Sequence, residues 1–430
     1  MQNQKQPRIL MLGWEFPPLM SGGLAIATHG LVKALSNMVQ ITLVVPKKAE
    51  DPQLPGVTVI GLNQLAELDL PSQQWNQILQ RPCTENWDHV SAYPNSSAGT
   101  AVVHPTKSTA QAVVRNIEVL QEKNMYGDNL MQKISIYTEL VAEIAQYLDF
   151  DLIHAHDWLT FSAGKVLKNR FRKPLVLHVH ALETDRSGQS ARNSIYSIER
   201  EGMMAADAIV PVSAYTKQRI TEHYKVSSHK IHPVHNGINP KLIKRWNSLI
   251  PEKIVAFVGR ITFQKGPQFL LETAEKVIDH YQNVRFVIAG QGDQLETLMD
   301  QIADRELSKY FIFAGFLSRE EVDALLATSN VYFMPSVSEP FGLSALEAVQ
   351  AGTPCVLSKQ SGVAELLTAS LKANFWETDL FSYHILSLLK NDPKAQKMAR
   401  QAKEQLKTIN WDEAAVKVAS IYHPFLHPQT

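Results

Sequence analysis

Ser336-Val-Ser-Glu339-Pro340-Phe-Gly342-Leu343-Ser-Ala-Leu-Glu347-Ala-Val-Gln-Ala351-Gly352-Thr-Pro354-Cys-Val356 follows an apolar run, Val331-Tyr-Phe-Met-Pro335, that reads as a buried strand. The strand opens into a loop carrying Glu339 and Pro340, and a helix is predicted from about Gly342 to Ala351. Gly352 stops that helix and Pro354 prevents its resumption. With Gly342 and Leu343 at its mouth, the helix lets an anion approach backbone N–H groups that have no partner inside the helix. Glu347 stands one turn further in, where a carboxylate accepts hydrogen bonds from neutral hydroxyls beside that anion. The combination suits a phosphate joined to sugars. Read alone, Glu-Pro-Phe-Gly is equally an ordinary loop, and Glu347 a solvated glutamate favoured by the helix dipole.

Upstream, Lys253-Ile-Val-Ala-Phe-Val-Gly-Arg260 reads as a strand, followed by a loop with Lys265, Gly266 and Pro267 and by a helix to about Tyr281. Val284 to Ala289 is the next strand, ending in Gly290-Gln-Gly292; Phe311 to Gly315 and Asn330 to Met334 continue the series. This alternation predicts a parallel sheet with helices on both faces. Arg260 stands at a strand end and Lys265 in the loop that follows, where two cations neutralise a diphosphate; each alone is also ordinary surface charge. Beyond Val356 to Ser358, helices are expected at 379–390, 392–407 and 411–422.

The first half shows the same alternation. Arg8 to Gly13 is a strand, Ser21-Gly22-Gly23 a glycine loop, and Leu24 to Leu35 a helix. Strand, glycine loop and helix in that order form the phosphate-binding corner of doubly wound folds, although the spacing is not Gly-x-Gly-x-x-Gly. Ile41 to Val45 and Val57 to Gly61 suit two further strands. From Gln64 to Ser108 periodicity is lost, and this irregular segment is expected to lie over the cleft as an acceptor-specificity element. Helices are predicted near 109–123 and 129–148.

Two strand ends then carry histidines, in Asp151-Leu-Ile-His154-Ala-His156-Asp-Trp158 and Leu175-Val-Leu-His178-Val-His180. Within each pair the side chains share a face. Four histidines raise zinc as a ligand, yet no carboxylate or thiolate stands at metal spacing, and the reading is no metal. A strand from Asp207 to Val212 precedes a helix capped by Ser213. Residues 239–252 lose periodicity and form the expected linker, which places a domain boundary near residue 248.

Composition limits the function classes. A length of 430 residues implies two to three domains. Lys+Arg and Asp+Glu balance at 42 each, which argues against nucleic acid or an anionic membrane as main partner. Cys83 and Cys355 support neither a disulfide framework nor a thiolate metal site. With no signal-length apolar segment at Met1 and no run long enough to span a membrane, a soluble cytoplasmic protein is expected.

Gly22-Gly23-Leu24, His154-Ala-His156-Asp-Trp158, Gly259-Arg260 with Lys265-Gly266, and Glu339-Pro-Phe-Gly-Leu with Glu347 occur in that order. Together they resemble the retaining glycosyltransferases of the glycogen synthase and sucrose synthase type, family 4-like enzymes of the GT-B fold. The resemblance spans nearly the whole chain. It implies two Rossmann-like domains facing each other across a cleft, residues 1–248 on the acceptor side and 249–410 holding the nucleotide sugar. It also implies that residues 411–430 form a helix crossing back to the first domain. Arg260 and Lys265 would then grip the diphosphate, Glu347 the ribose hydroxyls, and Glu339 the donor sugar near its reacting carbon. His156 would orient that sugar, and Gly22 and Gly23 would close on the phosphates from the opposite domain.

The implied reaction moves a hexose, glucose foremost, from a nucleoside diphosphate to a sugar or glucan, with no metal and no other cofactor. ADP-, UDP- and GDP-sugars remain open as donors. Breaking the anomeric C–O bond places negative charge on the leaving diphosphate, and Arg260, Lys265 and the helix N–H groups answer it. About 3 kcal/mol of preference for the transition state corresponds to roughly a hundredfold in rate. One departure stands out: bacterial glycogen synthases commonly carry Lys-x-Gly-Gly in the first loop, where this chain has Met20-Ser-Gly-Gly. That puts polymer synthesis in doubt more than glycosyl transfer. A nucleotide-sugar epimerase on a similar scaffold and a non-catalytic nucleotide-sugar-binding protein are the alternatives; a phosphorylase is disfavoured by the lack of a lysine context for pyridoxal phosphate.

Overall fold

The computed structural model describes residues 6–19, 22–49, 53–67, 119–120, 122, 124–127, 129–244 and 246–427. Most of the irregular 64–108 segment, most of the 109–123 helix, and Met20 and Ser21 lie outside the described residues. Two six-stranded, wholly parallel sheets organise the chain.

The first sheet contains β1 (Arg8–Leu12), β2 (Gln40–Val45), β3 (Val57–Gly61), β4 (Leu152–His156), β5 (Leu175–Val179) and β6 (Ala208–Pro211), in the order β3-β2-β1-β4-β5-β6. The second contains β7 (Lys253–Val258), β8 (Val284–Ala289), β9 (Phe311–Gly315), β10 (Val331–Met334), β11 (Cys355–Ser358) and β12 (Leu371–Ala373), in the order β12-β11-β10-β7-β8-β9. Read from its own first strand, the second order repeats the first. Strands β4, β5, β6, β10 and β11 are buried along their whole length, which is why β6 and β10 read as continuous apolar runs, while β4 and β5 bury histidines among theirs.

Helices cover both faces. In the first half these include α1 (Gly23–Leu35), α2 (Leu130–Ile144), α3 (Trp158–Phe171), α4 (Ser194–Ala205) and α5 (Ala214–Arg219). In the second they include α6 (Pro267–His280), α7 (Leu295–Asp304), α8 (Arg319–Thr328), α9 (Leu343–Ala351), α10 (Thr378–Leu389) and α11 (Asp392–Gln405). Ser213 caps α5, accepting the N–H of Thr216 at 3.0 Å. No helix among the described residues is long and apolar enough to cross a membrane. Between β6 and β7 the described residues from 232 to 252 form neither helix nor strand.

The last helix, α12 (Trp411–Leu426), runs four residues beyond its predicted stop. Pro424 lies in its final turn, where a missing N–H removes only one terminal hydrogen bond. Although it follows the second sheet in sequence, α12 packs on α1: Trp411, Ala415, Val418 and Tyr422 join Ile9, Leu31, Val32 and Leu35 in one core. Gly30 permits that approach, because a Cβ there would stand 2.2 Å from Cε2 of Trp411. Trp411 is buried at this junction. Trp411→Ala is expected to cost about 3–5 kcal/mol, seen as a lower urea midpoint for the first half; an unchanged midpoint would exclude α12 from that core.

Candidate active site

Each sheet reverses its strand order at its middle, between β1 and β4 in the first and between β7 and β10 in the second. A crevice forms outside the carboxyl ends of strands at such a reversal. The expected site residues gather there: His156 ends β4, Gly259 and Arg260 follow β7, and Ser336 and Glu339 follow β10.

On the second half, the Lys265 ammonium contacts Oε2 of Glu339, an ion pair in which the two side chains keep only 16% and 9% of their exposure. Ser336 Oγ donates to the same oxygen at 3.3 Å. The sequence assigned Lys265 and Glu339 to separate parts of the donor; the structure joins them. Glu339 is fixed by its backbone, donating its N–H to Gln360 O at 2.8 Å and accepting from Gly362 N at 3.0 Å. Arg260 lies exposed at the strand end and has interactions of its own.

Helix α9 begins at Leu343 behind Gly342, whose φ of 107° is a left-handed value suited to glycine. Neither α9 nor α1 has a side-chain cap at its N-terminus. The two starts meet: a Cβ placed on Gly23, the first residue of α1, would lie 3.8 Å from Cδ1 of Leu343. Two helix starts without side-chain caps, from opposite halves, therefore come together, and a Cβ on Gly342 would lie 3.3 Å from Cγ of Glu339, the residue that holds the Lys265 ammonium.

Glu347 has no hydrogen bond or ion pair among the described residues. Burial lifts its carboxyl above the ordinary value, opposed by the charges of Lys241 and Arg319. Tyr332, buried beneath the helix and bonded to Ser344 Oγ at 2.7 Å, feels the charges of both Glu339 and Glu347.

On the first half, the histidines form a stack across β4 and β5. Neighbouring ring centroids are 4.5 Å apart for His154 and His156, 5.0 Å for His156 and His178, and 4.6 Å for His178 and His180. Burial pushes His154, His156 and His178 far below the ordinary imidazole value and His180 down to about 3. All four are neutral at pH 7, which allows close stacking. His156 Nδ1 lies 3.1 Å from His180 Nε2, and His154 Nδ1 lies 2.5 Å from the hydroxyl of Tyr422 on α12. Ligand atoms of His154, His156 and His178 fall within 4.8 Å of one another. The rings of His154 and His156 are inclined by 28°, those of His154 and His178 by 18°, and those of His156 and His178 by 11°. His156 is fully covered, with Nε2 unpartnered.

Sequence reasoning missed the residues of the first half that hold the Glu339 loop, namely Asp185, Ser213, Tyr215 and Thr216. Only the helix-capping pattern at Ser213 singles one of them out. It also passed over Phe316, an exposed ring just after β9 on the same edge of the sheet as Arg260.

Comparison with known proteins agrees with this geometry. The model for glycosyl transferases group 1 matches residues 240–405, and the model for glycosyltransferase family 4 matches residues 96–242. The chain belongs to the family 4-like glycosyltransferases of the GT-B fold. This glycosyltransferase is similar to the glycogen synthase of Mycobacterium tuberculosis, with 25% identity over 96% of this chain and 94% of that one. Among solved structures it resembles the sucrose-phosphate synthase of Thermosynechococcus elongatus, with a TM-score of 0.68 at 19% identity over 97% and 98% of the two chains. It also resembles Anabaena HepE in complex with UDP-glucose, with a TM-score of 0.65 at 15% identity over 96% and 99%.

Proposed function

We propose that this glycosyltransferase transfers a hexose, glucose foremost, from a nucleoside diphosphate to a sugar or glucan, retaining the anomeric configuration and requiring no metal. The observation that carries the proposal is the meeting of the uncapped N-termini of α1 and α9 beside Glu339, which holds Lys265. Two helix ends, Lys265 and Arg260 supply the positive charge that a departing diphosphate demands, so the leaving group is stabilised by the protein itself. Glu339, held against Lys265, stands where the sugar joins the phosphate and answers the opposite charge growing on the ring. Phe316 offers a flat face to the base, whereas His156, given to the sugar by the resemblance, is fully covered in this arrangement and would have to be uncovered to touch it. HepE, a neighbour in fold, was solved with UDP-glucose, which favours a nucleotide sugar of that class.

Proton NMR of a reaction with UDP-glucose or ADP-glucose and a glucan acceptor, run with EDTA, tests the whole proposal. An α-linked product from the α-linked donor is expected; an inverted product, or activity lost to EDTA and restored by a divalent cation, overturns it.

Glu347 adds a pH dependence. Its raised pKa keeps the carboxyl protonated above the usual carboxylate range, and a protonated acid accepts hydrogen bonds from ribose hydroxyls less well. Affinity for UDP is therefore expected to rise with pH from 4.5 until Glu347 has ionised, then level. Glu347→Gln is expected to bind about tenfold more weakly at pH 7.5 and to keep only the part of the rise that comes from ionisation of the terminal phosphate of UDP, at about pH 6. Calorimetric titration across that range checks both, and an unchanged slope in the variant would move the dependence to another group.

A further inference from the structure

Glu339 lies between two residues that the opposite half holds. On one side, Ser338 Oγ donates to Oδ1 of Asp185 at 2.6 Å and lies 2.9 Å from the Tyr215 hydroxyl. On the other, the carbonyl of Pro340 accepts from Ser213 Oγ at 2.7 Å and from Thr216 Oγ1 at 3.3 Å. All four partners come from the first half, three of them at the start of α5. Glu365 reinforces the junction from the second half, accepting the N–H groups of Ala214 at 3.0 Å and Tyr215 at 2.6 Å.

The proton directions in this chain are determined. Asp185 is buried and, as a carboxylate, only accepts. Its Oδ2 takes the N–H of Leu182 at 2.9 Å, while Oδ1 lies 2.7 Å from Arg219 Nε, off the N–H direction, so that contact is ionic. The single proton of Ser338 goes to Asp185, and Tyr215 must then donate its own to Ser338. Arg219 is fixed in turn by donating to the Thr184 carbonyl at 3.0 Å. Beneath the turn at 183–186, Glu199 accepts from Glu183 N at 2.9 Å and from Arg186 at 2.7 Å. Asp185 thus projects from a braced turn to the residue beside Glu339.

We propose that Asp185 is a positioning residue for Glu339, acting through Ser338 with Tyr215 completing the chain. The carboxylate beside the sugar is held in its working place by both halves together, in the arrangement seen here. This rests on the sugar-side role of Glu339 proposed above. Loss of the chain removes no group that holds the nucleotide, since Lys265, Arg260 and the helix starts remain. What is lost is one restraint on where the Glu339 carboxylate sits, and small displacements of reacting groups reduce rate more than binding.

The test uses the full chain and follows UDP release from UDP-glucose, or ADP release from ADP-glucose, whichever the wild type turns over. Ser338→Ala is expected to lower kcat about ten- to a hundredfold, with the affinity for the free nucleotide and the thermal midpoint near those of wild type. Tyr215→Phe is expected to fall between, and the double variant to be no slower than Ser338→Ala, because the two side chains act as one unit. Turnover within twofold of wild type in Ser338→Ala overturns the proposal. So does a loss of kcat matched by an equal loss of nucleotide affinity or by a drop in midpoint, and so do additive effects in the double variant. Glu339→Gln is run alongside: wild-type turnover there shows that the role of Glu339 itself is wrong, a result distinct from failure at Ser338.

Discussion

Lys265→Met is expected to reduce turnover by a hundredfold or more, because in the reaction proposed above it removes the cation that meets the growing charge of the diphosphate. It also strands Glu339, whose side chain retains 9% of its exposure. A carboxylate left unpaired in such a place costs about 2 kcal/mol or more of stability, toward the lower end because the crevice admits water. Adding Glu339→Gln removes the stranded charge while keeping its shape. The double variant Lys265→Met/Glu339→Gln is therefore expected to regain stability over Lys265→Met and to remain inactive. Urea midpoints and nucleotide release, measured on the same preparations, separate the two effects. Restored turnover in the double variant would mean that Lys265 serves only to neutralise Glu339.

Gly290→Ala is expected to be nearly as damaging, through the backbone. Gly290 follows β8 with φ of 144°, and a Cβ there would stand 1.9 Å from the carbonyl oxygen of Gly259. The loops after β7 and β8 are laced together, Gly259 N bonding Ala289 O at 3.0 Å and Ile261 N bonding Gln291 O at 2.9 Å. Relief of the overlap must move Gly259, and with it Arg260. The strain and the overlap together are expected to cost about 3 kcal/mol or more. Saturating UDP, which at 100 times its dissociation constant adds about 2.7 kcal/mol to wild type, is expected to add far less to the variant. A normal midpoint with normal stabilisation by UDP would show that the crossing of these loops is not tight.

Much of the second half was legible in its sequence. Apolar runs such as Val331 to Met334 are buried along their whole length, so β7 to β11 could be read almost to the residue, whereas the short β12 and the half-buried α8 were not read at all. Gly342 and Gly352 bracket α9 with left-handed backbone, as their position in the sequence implied. Arg260, Lys265 and Glu339 could be placed at carboxyl ends of strands because a parallel sheet puts them there. The pairing of Lys265 with Glu339 was not legible, since it depends on how the 261–266 loop bends toward the end of β10. Nor were Asp185 and Tyr215, whose partner Ser338 lies more than a hundred residues away. Periodicity reports the face a side chain occupies; it carries nothing about which distant loop that face will meet.

The docking of α12 on α1 also sets an order of events during synthesis. A ribosome that has made both strands β1 and β4 has long since released α1, yet the helix that covers this face emerges only after the whole second sheet. Ile9, Leu31, Val32 and Leu35 lack the cover of α12 throughout translation of the second sheet, and His154 waits for the hydroxyl of Tyr422. Each half builds its sheet from its own residues, but the first closes its core only after the second has been made. A truncation ahead of Trp411 therefore leaves an open apolar surface on the half that the deleted residues do not adjoin in sequence, and aggregation of such a product would begin there.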